Sequence, residues 1–307
     1  MHSTVSRDLF SNEPPADASD RLQYVAFQKP HGQFLKWIGN KQRFAQSIIG
    51  AFPKRIGNYY EPFLGSGAVL GGLGPIRGVG SDCFEPLVGI WKTLKSNPEQ
   101  LIAWYEERWQ QIERVGKQRA YEEVQDSYNN LPNSADFLYL TRACYGGVVR
   151  FRKKDGFMST PCGVHDPINP QSFRERVRSW HSRVAQTEFR CADYRDVMRE
   201  AAAGDLVYCD PPYSFSQAIL YGAQEFSLLE LMHTIGTCKA RGVHVVLSID
   251  GTKKSGEFLC DIEIPRGLFE TELSVNIGRS MLKRFQMDGR TLEKEVVSDR
   301  LLLTYSL

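Results

Sequence analysis

No stretch of this sequence is apolar for the roughly 18 residues that a membrane-spanning helix needs. The N-terminus also lacks the basic-then-apolar pattern of a secretion signal, so a cytoplasmic protein is expected. No two cysteines form a C-x-x-C pair. The seven (Cys83, Cys144, Cys162, Cys191, Cys209, Cys238 and Cys260) stand singly and in odd number, which argues for reduced thiols and against a zinc site or a disulfide frame. There is no internal repeat and no low-complexity tract. The chain also has little net charge, +2 in all, but that balance is uneven. Between Arg142 and Arg190 ten Lys/Arg stand against four Asp/Glu, which is +6 and leaves −4 for the remainder. A locally basic stretch is the footprint of a phosphate-contacting surface, although a solvated face accounts for the same charges.

What is present suffices for a core: 307 residues, 42% of them hydrophobic, suit one large domain or a core with an insertion. Residues 1 to about 28 are polar and aperiodic, carry Pro14 and Pro15, and read as a flexible arm. Short apolar runs at Tyr59–Phe63, Gly78–Asp82, Leu206–Cys209 and Val243–Ile249 end near Gly, Asp or Pro and are separated by helical patterns, the alternation of an α/β parallel sheet. Lys41–Phe52 predicts a helix stopped by Pro53, and Ser227-Leu228-Leu229-Glu230 is a capping box that opens another. From about Trp91 to Arg190 the rhythm breaks into a basic stretch rich in Trp, Tyr and Arg, which reads as an inserted subdomain. Glu272–Ile277 and Arg300–Tyr305 predict a closing antiparallel pair around the polar stretch 283–298.

Glu61-Pro62-Phe63-Leu64-Gly65-Ser66-Gly67 falls where the first strand gives way to a helix, and its glycines permit a tight turn and close approach to a ligand. A dinucleotide fingerprint would need a third glycine where Leu70 stands, so a pyrophosphate site is disfavoured. An acid ending the strand suits a ligand with a cationic amino-acid moiety, as S-adenosylmethionine has. Asp82 closes the next strand 21 residues later, near the ~20-residue interval at which an acid accepts from ribose hydroxyls. An ordinary tight turn fits the glycines equally. Upstream, Trp37 and Lys41 are four apart and can share one side of a turn, though by pattern alone Trp37 suits a core and Lys41 a solvated position.

The most specific feature is Leu206-Val207-Tyr208-Cys209-Asp210-Pro211-Pro212-Tyr213, an apolar strand running into an acid, two prolines and an aromatic. The amino nitrogen of a nucleobase has its lone pair delocalised into the ring. Two fixed acceptors, the Asp210 carboxylate and the Pro211 carbonyl, would favour a more tetrahedral nitrogen able to attack an activated methyl group. Prolines leave rigid carbonyls without competing N–H groups, and Tyr213 can stack on an extruded base for roughly 1–3 kcal/mol. No covalent intermediate is required, so no cysteine need be a nucleophile. The same four residues could instead be a turn after a strand.

Four blocks in order, Phe34-Leu35-Lys36-Trp37-Ile38-Gly39-Asn40-Lys41, Glu61–Gly67, Phe137-Leu138-Tyr139-Leu140-Thr141-Arg142 and Asp210–Tyr213, resemble those of the Dam-type (D12 class, alpha-ordered) DNA adenine-N6 methyltransferases. A fifth, Cys191-Ala192-Asp193-Tyr194-Arg195-Asp196, is similar to the family's segment that touches the donor adenine. The resemblance runs from about Phe34 to the end. It implies the class I S-adenosylmethionine-dependent methyltransferase fold, an α/β Rossmann-like, mostly parallel sheet with a C-terminal antiparallel hairpin and an inserted, mainly helical target-recognition subdomain. The expected division is an arm at 1–28, a catalytic domain at 29–90 and 190–307, and a DNA-binding insertion at 91–189.

The cofactor implied is S-adenosyl-L-methionine, on Trp37, Lys41, Glu61, Phe63, Gly65, Gly67, Asp82, Asp193, Tyr194 and Asp210, with Asp210, Pro211 and Tyr213 catalytic and no metal. The partner implied is double-stranded DNA, with a cognate restriction endonuclease as a further candidate and a monomer or weak dimer as the state. Tyr145-Gly146-Gly147-Val148-Val149-Arg150 is similar to the family's Tyr-Asn-Gly hairpin start, whose Tyr and Asn wedge into DNA and whose following Arg reads a guanine. Gly146 stands where Asn is common. Tyr145 and Arg150 are thus candidates for base contact, and Arg152, Lys153 and Lys154 for phosphate contact. Rival readings are an RNA-adenine or protein-glutamine methyltransferase, a catalytically silent DNA-binding regulator on the same fold, and a nicotinamide oxidoreductase, which Leu70 disfavours.

Overall fold

The strand patterns translate into a sheet whose buried runs pack on both faces. The structure, a computed structural model, describes residues 22–37, 39–212, 226–253, 258–259, 264–278 and 297–307. The strands are β1 (Gln23–Tyr24), β2 (Arg55–Ile56), β3 (Tyr59–Glu61), β4 (Gly78–Asp82), β5 (Thr187–Cys191), β6 (Leu206–Cys209), β7 (His244–Lys253), β8 (Phe258–Leu259), β9 (Thr271–Gly278) and β10 (Val297–Leu303). β1 and β2 form a small antiparallel pair. The main sheet has the order β5-β4-β3-β6-β7-β10-β9, with β8 on β7.

Strands β3 to β7 are mutually parallel, and β10 runs antiparallel to both β7 and β9, the closing antiparallel pair expected. β3 and β6 read as unbroken buried runs because helices cover both faces of a parallel sheet. The winding goes outward from β3 through β4 to β5 and then restarts on its other side with β6. A crevice must open at the carboxyl ends of β3 and β6, the switch point where α/β sheets bind ligands. Glu61 ends β3 and Asp210 follows β6.

One face carries α8 (Tyr194–Glu200) and α9 (Leu228–Ala240), whose Val197, Met198, Leu231 and Ile235 form a core with Val207, Cys209, Val245 and Leu247. Ser227 caps α9, accepting from the Glu230 N–H at 3.3 Å, as the capping box predicts. The other face carries α1 (Ala45–Gly50), α2 (Ala68–Leu73), α3 (Glu85–Ser96) and the helices α4 (Pro98–Val115), α5 (Lys117–Asn130), α6 (Ser134–Ala143) and α7 (Pro170–Arg183). The caps of α4, α6 and α7 are all asparagines: Asn97, Asn133 and Asn169 accept from the N–H groups of Gln100, Asp136 and Ser172.

Three expectations shift. α1 starts at Ala45 rather than Lys41, because residues 41–44 form a turn, with Phe44 N–H donating to Lys41 O at 2.8 Å and no side-chain cap at Phe44. Most of the arm expected over 1–28 lies outside the described residues, but its end is paired: the strand of Gln23 joins β2, and the Gln23 amide also reaches the Gly57 and Arg77 backbones. α3 runs through the expected junction at residue 91, and a single core joins the insertion to the sheet: Phe34 lies 5.1 Å from Trp91, and Trp91 lies 5.9 Å from Trp180.

Much of the local basicity is used inside this packing. Arg142, buried, donates to the carbonyls of Gln33 and Phe34; Arg176 to Gln33; and Arg183 to Gln28, Lys29 and Gly71. Arg174 pairs with Glu106, and Arg190 with Glu188 and Glu200. Arg142, Arg176 and Arg183 fasten the loop before Trp37 to the insertion. No helix among the described residues is long and apolar enough to cross a membrane.

Candidate active site

The switch point holds an open cleft of about 440 Å³, lined by Trp37, Lys41, Glu61, Phe63, Gly65, Asp210 and Pro211 among others. Seven of the residues singled out in the sequence therefore meet in one place, although Lys41 and Asp210 are 169 positions apart. Tyr213, the last of the expected catalytic strip, lies outside the described residues.

The loop after β3 is shaped by glycine. Gly65 sits at φ +45°, and a Cβ there would lie 3.0 Å from Trp37 Nε1, so glycine keeps the loop close to the indole. Gly67, also at positive φ, is the N-cap of α2 and packs behind the loop against Trp91, whose Nε1 donates to Gly65 O at 3.1 Å. Asp82 braces the loop from β4: its carboxylate accepts from Gly65 N–H at 3.2 Å and Phe84 N–H at 3.1 Å. Burial pushes the Asp82 carboxyl above its ordinary range against the pull of those N–H groups. Beside the cleft Tyr194 stacks on Phe63 with centroids 5.1 Å apart, and Phe226, which the sequence reading did not single out, packs on both rings. Asp193 caps α8 and pairs with Arg195 at 2.8 Å, a hydrogen bond that holds its carboxyl below the usual range.

Glu61 is 3% exposed and accepts from Tyr59 Oη at 2.7 Å and Leu70 N–H at 3.0 Å, both on Oε2. Burial outweighs those bonds and pushes its carboxyl up to about 8. The folded chain therefore keeps a proton that the unfolded chain releases near 4.5. Stability consequently falls as pH rises between these two values and levels off above about 8. Glu61→Gln, which cannot ionise, is expected to flatten that part of the slope. Melting both proteins at pH 5, 6.5 and 8.5 checks this, and parallel curves would discard it.

Lys41, 6% exposed, projects from the turn before α1 onto Asp210, with Nζ 2.9 Å from Oδ1, and onto Asp299 of β10, 3.3 Å from Oδ2. Burial alone would lower the lysine, but the two carboxylates outweigh it and hold the ammonium well above its ordinary range. Asp299 escaped the sequence reading. Its one signal is an acid in phase with Leu301 and Leu303 on a strand.

The basic hairpin stands on the insertion. Phe151 bridges Met158, and the segment 158–160 hangs on α5 through Tyr121, Gln125 and Asn129. Gly146 has φ +64° and ψ 0°, a left-handed conformation that Asn tolerates better than other side chains, so the departure from the common Asn keeps a compatible backbone while removing a side chain. Tyr145, Arg150, Lys153 and Lys154 are exposed. Arg152 is engaged within the hairpin, paired to Asp155 at 2.9 Å and placed 4.1 Å over the Phe157 ring.

A profile of the D12 class N6 adenine-specific DNA methyltransferases matches residues 37–266. The type II methyltransferase M1.LlaDCHI of Lactococcus lactis is 26% identical, over 75% of this chain and 85% of its own. The type II methyltransferase M.MjaIII of Methanocaldococcus jannaschii is 28% identical over 70% and 83%, and the DNA adenine methylase of Vibrio cholerae 26% over 72% and 82%. Among solved structures an rRNA methyltransferase from Streptomyces viridochromogenes aligns over 94% of the chain, at TM-score 0.35 and 13% identity, too distant to carry any argument. With three quarters of its length matched by the family profile and the cleft at the sheet's switch point, the chain belongs to the D12 class of N6 adenine-specific DNA methyltransferases.

Proposed function

We propose that Asp210 and the Pro211 carbonyl hold the amino group of a flipped adenine for the N6 methylation that defines the family, in a short sequence of duplex DNA. The observation that carries this reading is the position of Asp210, next to β6 at the switch point, held by a buried lysine in the cleft that also contains Glu61 and Gly65. The family and fold imply S-adenosylmethionine, which supplies a methyl group already activated on a sulfonium. The cleft suits it: Glu61 Oε1, used by neither hydrogen bond described, would meet the donor's ammonium; Gly65 and Trp37 line the cleft beside it; and Phe63, stacked on Tyr194, would offer a ring face to its adenine. Asp82 faces the loop as well as any ribose. The amino nitrogen would form its bond to the methyl carbon as the methyl–sulfur bond breaks and leaves a neutral thioether, and the methylated amine would then lose one proton to water. Asp210 and Pro211 favour the tetrahedral nitrogen throughout, so positioning dominates.

In the insertion we assign base reading to Arg150 and phosphate contact to Lys153 and Lys154, with Tyr145 beside the duplex and Arg152 shaping the hairpin. Arg150→Ala is expected to relax sequence preference, at about 1–3 kcal/mol of discrimination, more than it weakens binding overall. Lys153→Ala should weaken binding alike on all sequences and lower the salt slope by roughly one ion. Equal losses on all sequences for Arg150→Ala, or an unchanged slope for Lys153→Ala, would reverse these roles. A tritiated-methyl assay with duplex DNA, RNA and protein acceptors tests the whole reading: labelling of DNA adenine is expected, and labelling of RNA or protein alone would overturn it. Two of the relatives are named type II methyltransferases, which makes a cognate endonuclease the partner to look for.

A further inference from the structure

The fold turns Asp299 inward against the cleft residues. It is 3% exposed and shares its face of β10 with Leu301 and Leu303, members of the core cluster that contains Tyr208. The pairing of β10 shifts register between Ser298 and Asp299 on the β7 side and between Val297 and Ser298 on the β9 side. Irregularities of this kind re-aim a side chain and recur beside active sites. Asp299 Oδ2 lies 3.3 Å from Lys41 Nζ, the ammonium that reaches Asp210 Oδ1 at 2.9 Å. The side chains of Lys41 and Asp299 are 7% and 5% exposed and that of Asp210 is 19%, so the first two form the buried end of a chain that opens into the cleft at the third.

We propose that Asp299 is a positioning residue for methyl transfer, acting through Lys41 on Asp210. An ammonium is a compact charge on a flexible stem with three equivalent hydrogens, so one carboxylate does not fix its direction. Asp299 holds it from the far side and directs it to Oδ1 of Asp210. The second effect is charge: the Asp299 carboxylate offsets part of the repulsion between the Lys41 ammonium and the positive charge developing on the amino nitrogen. The proposal rests on Asp210 holding the amine.

The test is single-turnover methyl transfer at saturating duplex DNA and S-adenosylmethionine, with the affinity for each measured separately. Asp299→Asn, nearly isosteric, is expected to slow transfer roughly ten- to hundredfold, the loss seen when a partner that orients a functional ligand is removed, with both affinities and the melting midpoint close to wild type. In a Lys41→Met background the further change Asp299→Asn should cost nothing more, because the two act in series. Asp299→Glu keeps the charge but moves it by one methylene, so its rate should fall between wild type and Asp299→Asn. An unchanged rate, a loss confined to donor affinity, or the same fold-loss repeated in the Lys41→Met background overturns the proposal. If Asp299→Asn does not fold, Asp299→Glu decides: a slower rate at unchanged affinity supports it, and a wild-type rate or an affinity effect alone overturns it. An active Asp210→Ala would remove the underlying reading; a normal Asp299→Asn beside an inactive Asp210→Ala removes only this one.

Discussion

Asp210→Ala is expected to lower single-turnover methyl transfer by about a thousandfold while leaving most DNA affinity intact. Losing one preorganised polar group at a reacting centre costs about 10²–10³ in rate, and here the group lost is a charged acceptor aimed at the nitrogen that must change geometry. The fold should survive, because Lys41 keeps Asp299 as its counter-ion and Asp210 is the most exposed of the three. DNA affinity should survive because the hairpin with Arg150 and Lys153 is carried by α5, on a separate element from the strip. Transfer of tritiated methyl to duplex DNA and a binding titration on the same preparation check both halves. Turnover near wild type would reduce Asp210–Pro212 to a turn after a strand.

The second large effect is on stability. Lys41→Met should destabilise the protein by roughly 3–5 kcal/mol, since it leaves two buried or half-buried carboxylates without their shared cation. The raised ammonium sets the pH behaviour. A lysine whose folded value lies above the unfolded 10.5 contributes fully below 10.5 and loses that contribution only as pH rises through the folded value. The difference between wild type and Lys41→Met should therefore be constant from pH 6 to 9. Adding Asp299→Asn should recover part of it by removing one buried charge. Denaturant titrations of the three variants give the result, and an unchanged midpoint for Lys41→Met would mean that the buried pair contributes nothing to folding.

Where the determinants are local, the amino-acid order already contains the structure. Gly78–Asp82 and Leu206–Cys209 became β4 and β6 with those bounds, because a short apolar run ending in an acid has few other ways to bury itself in a sheet. Ser227 caps α9 for the same reason: its partner is three residues away. The Gly65 turn and the Asp210 strip were legible because their chemistry is written in adjacent residues. The start of α1 was not, since Lys41 leaves the helical pattern for Asp210, 169 positions on.

Two matters were decided only by the tertiary structure. The basic excess between Arg142 and Arg190 looked like one surface; folding spends Arg142, Arg174, Arg176, Arg183 and Arg190 on backbone carbonyls and ion pairs, and leaves Arg150, Lys153 and Lys154 outside. Charge counts along a chain cannot separate the two uses, because a guanidinium satisfied inside and one waiting for phosphate have the same composition. Asp299 is the other. By itself the sequence determined the family, the strands of the sheet, the cleft loop and the acid that follows β6, all properties of neighbouring residues. That Asp210 is clamped by Lys41, and Lys41 by an acid near the far end of the chain, follows only once β10 slides between β7 and β9 and brings Asp299 beside the turn that opens α1.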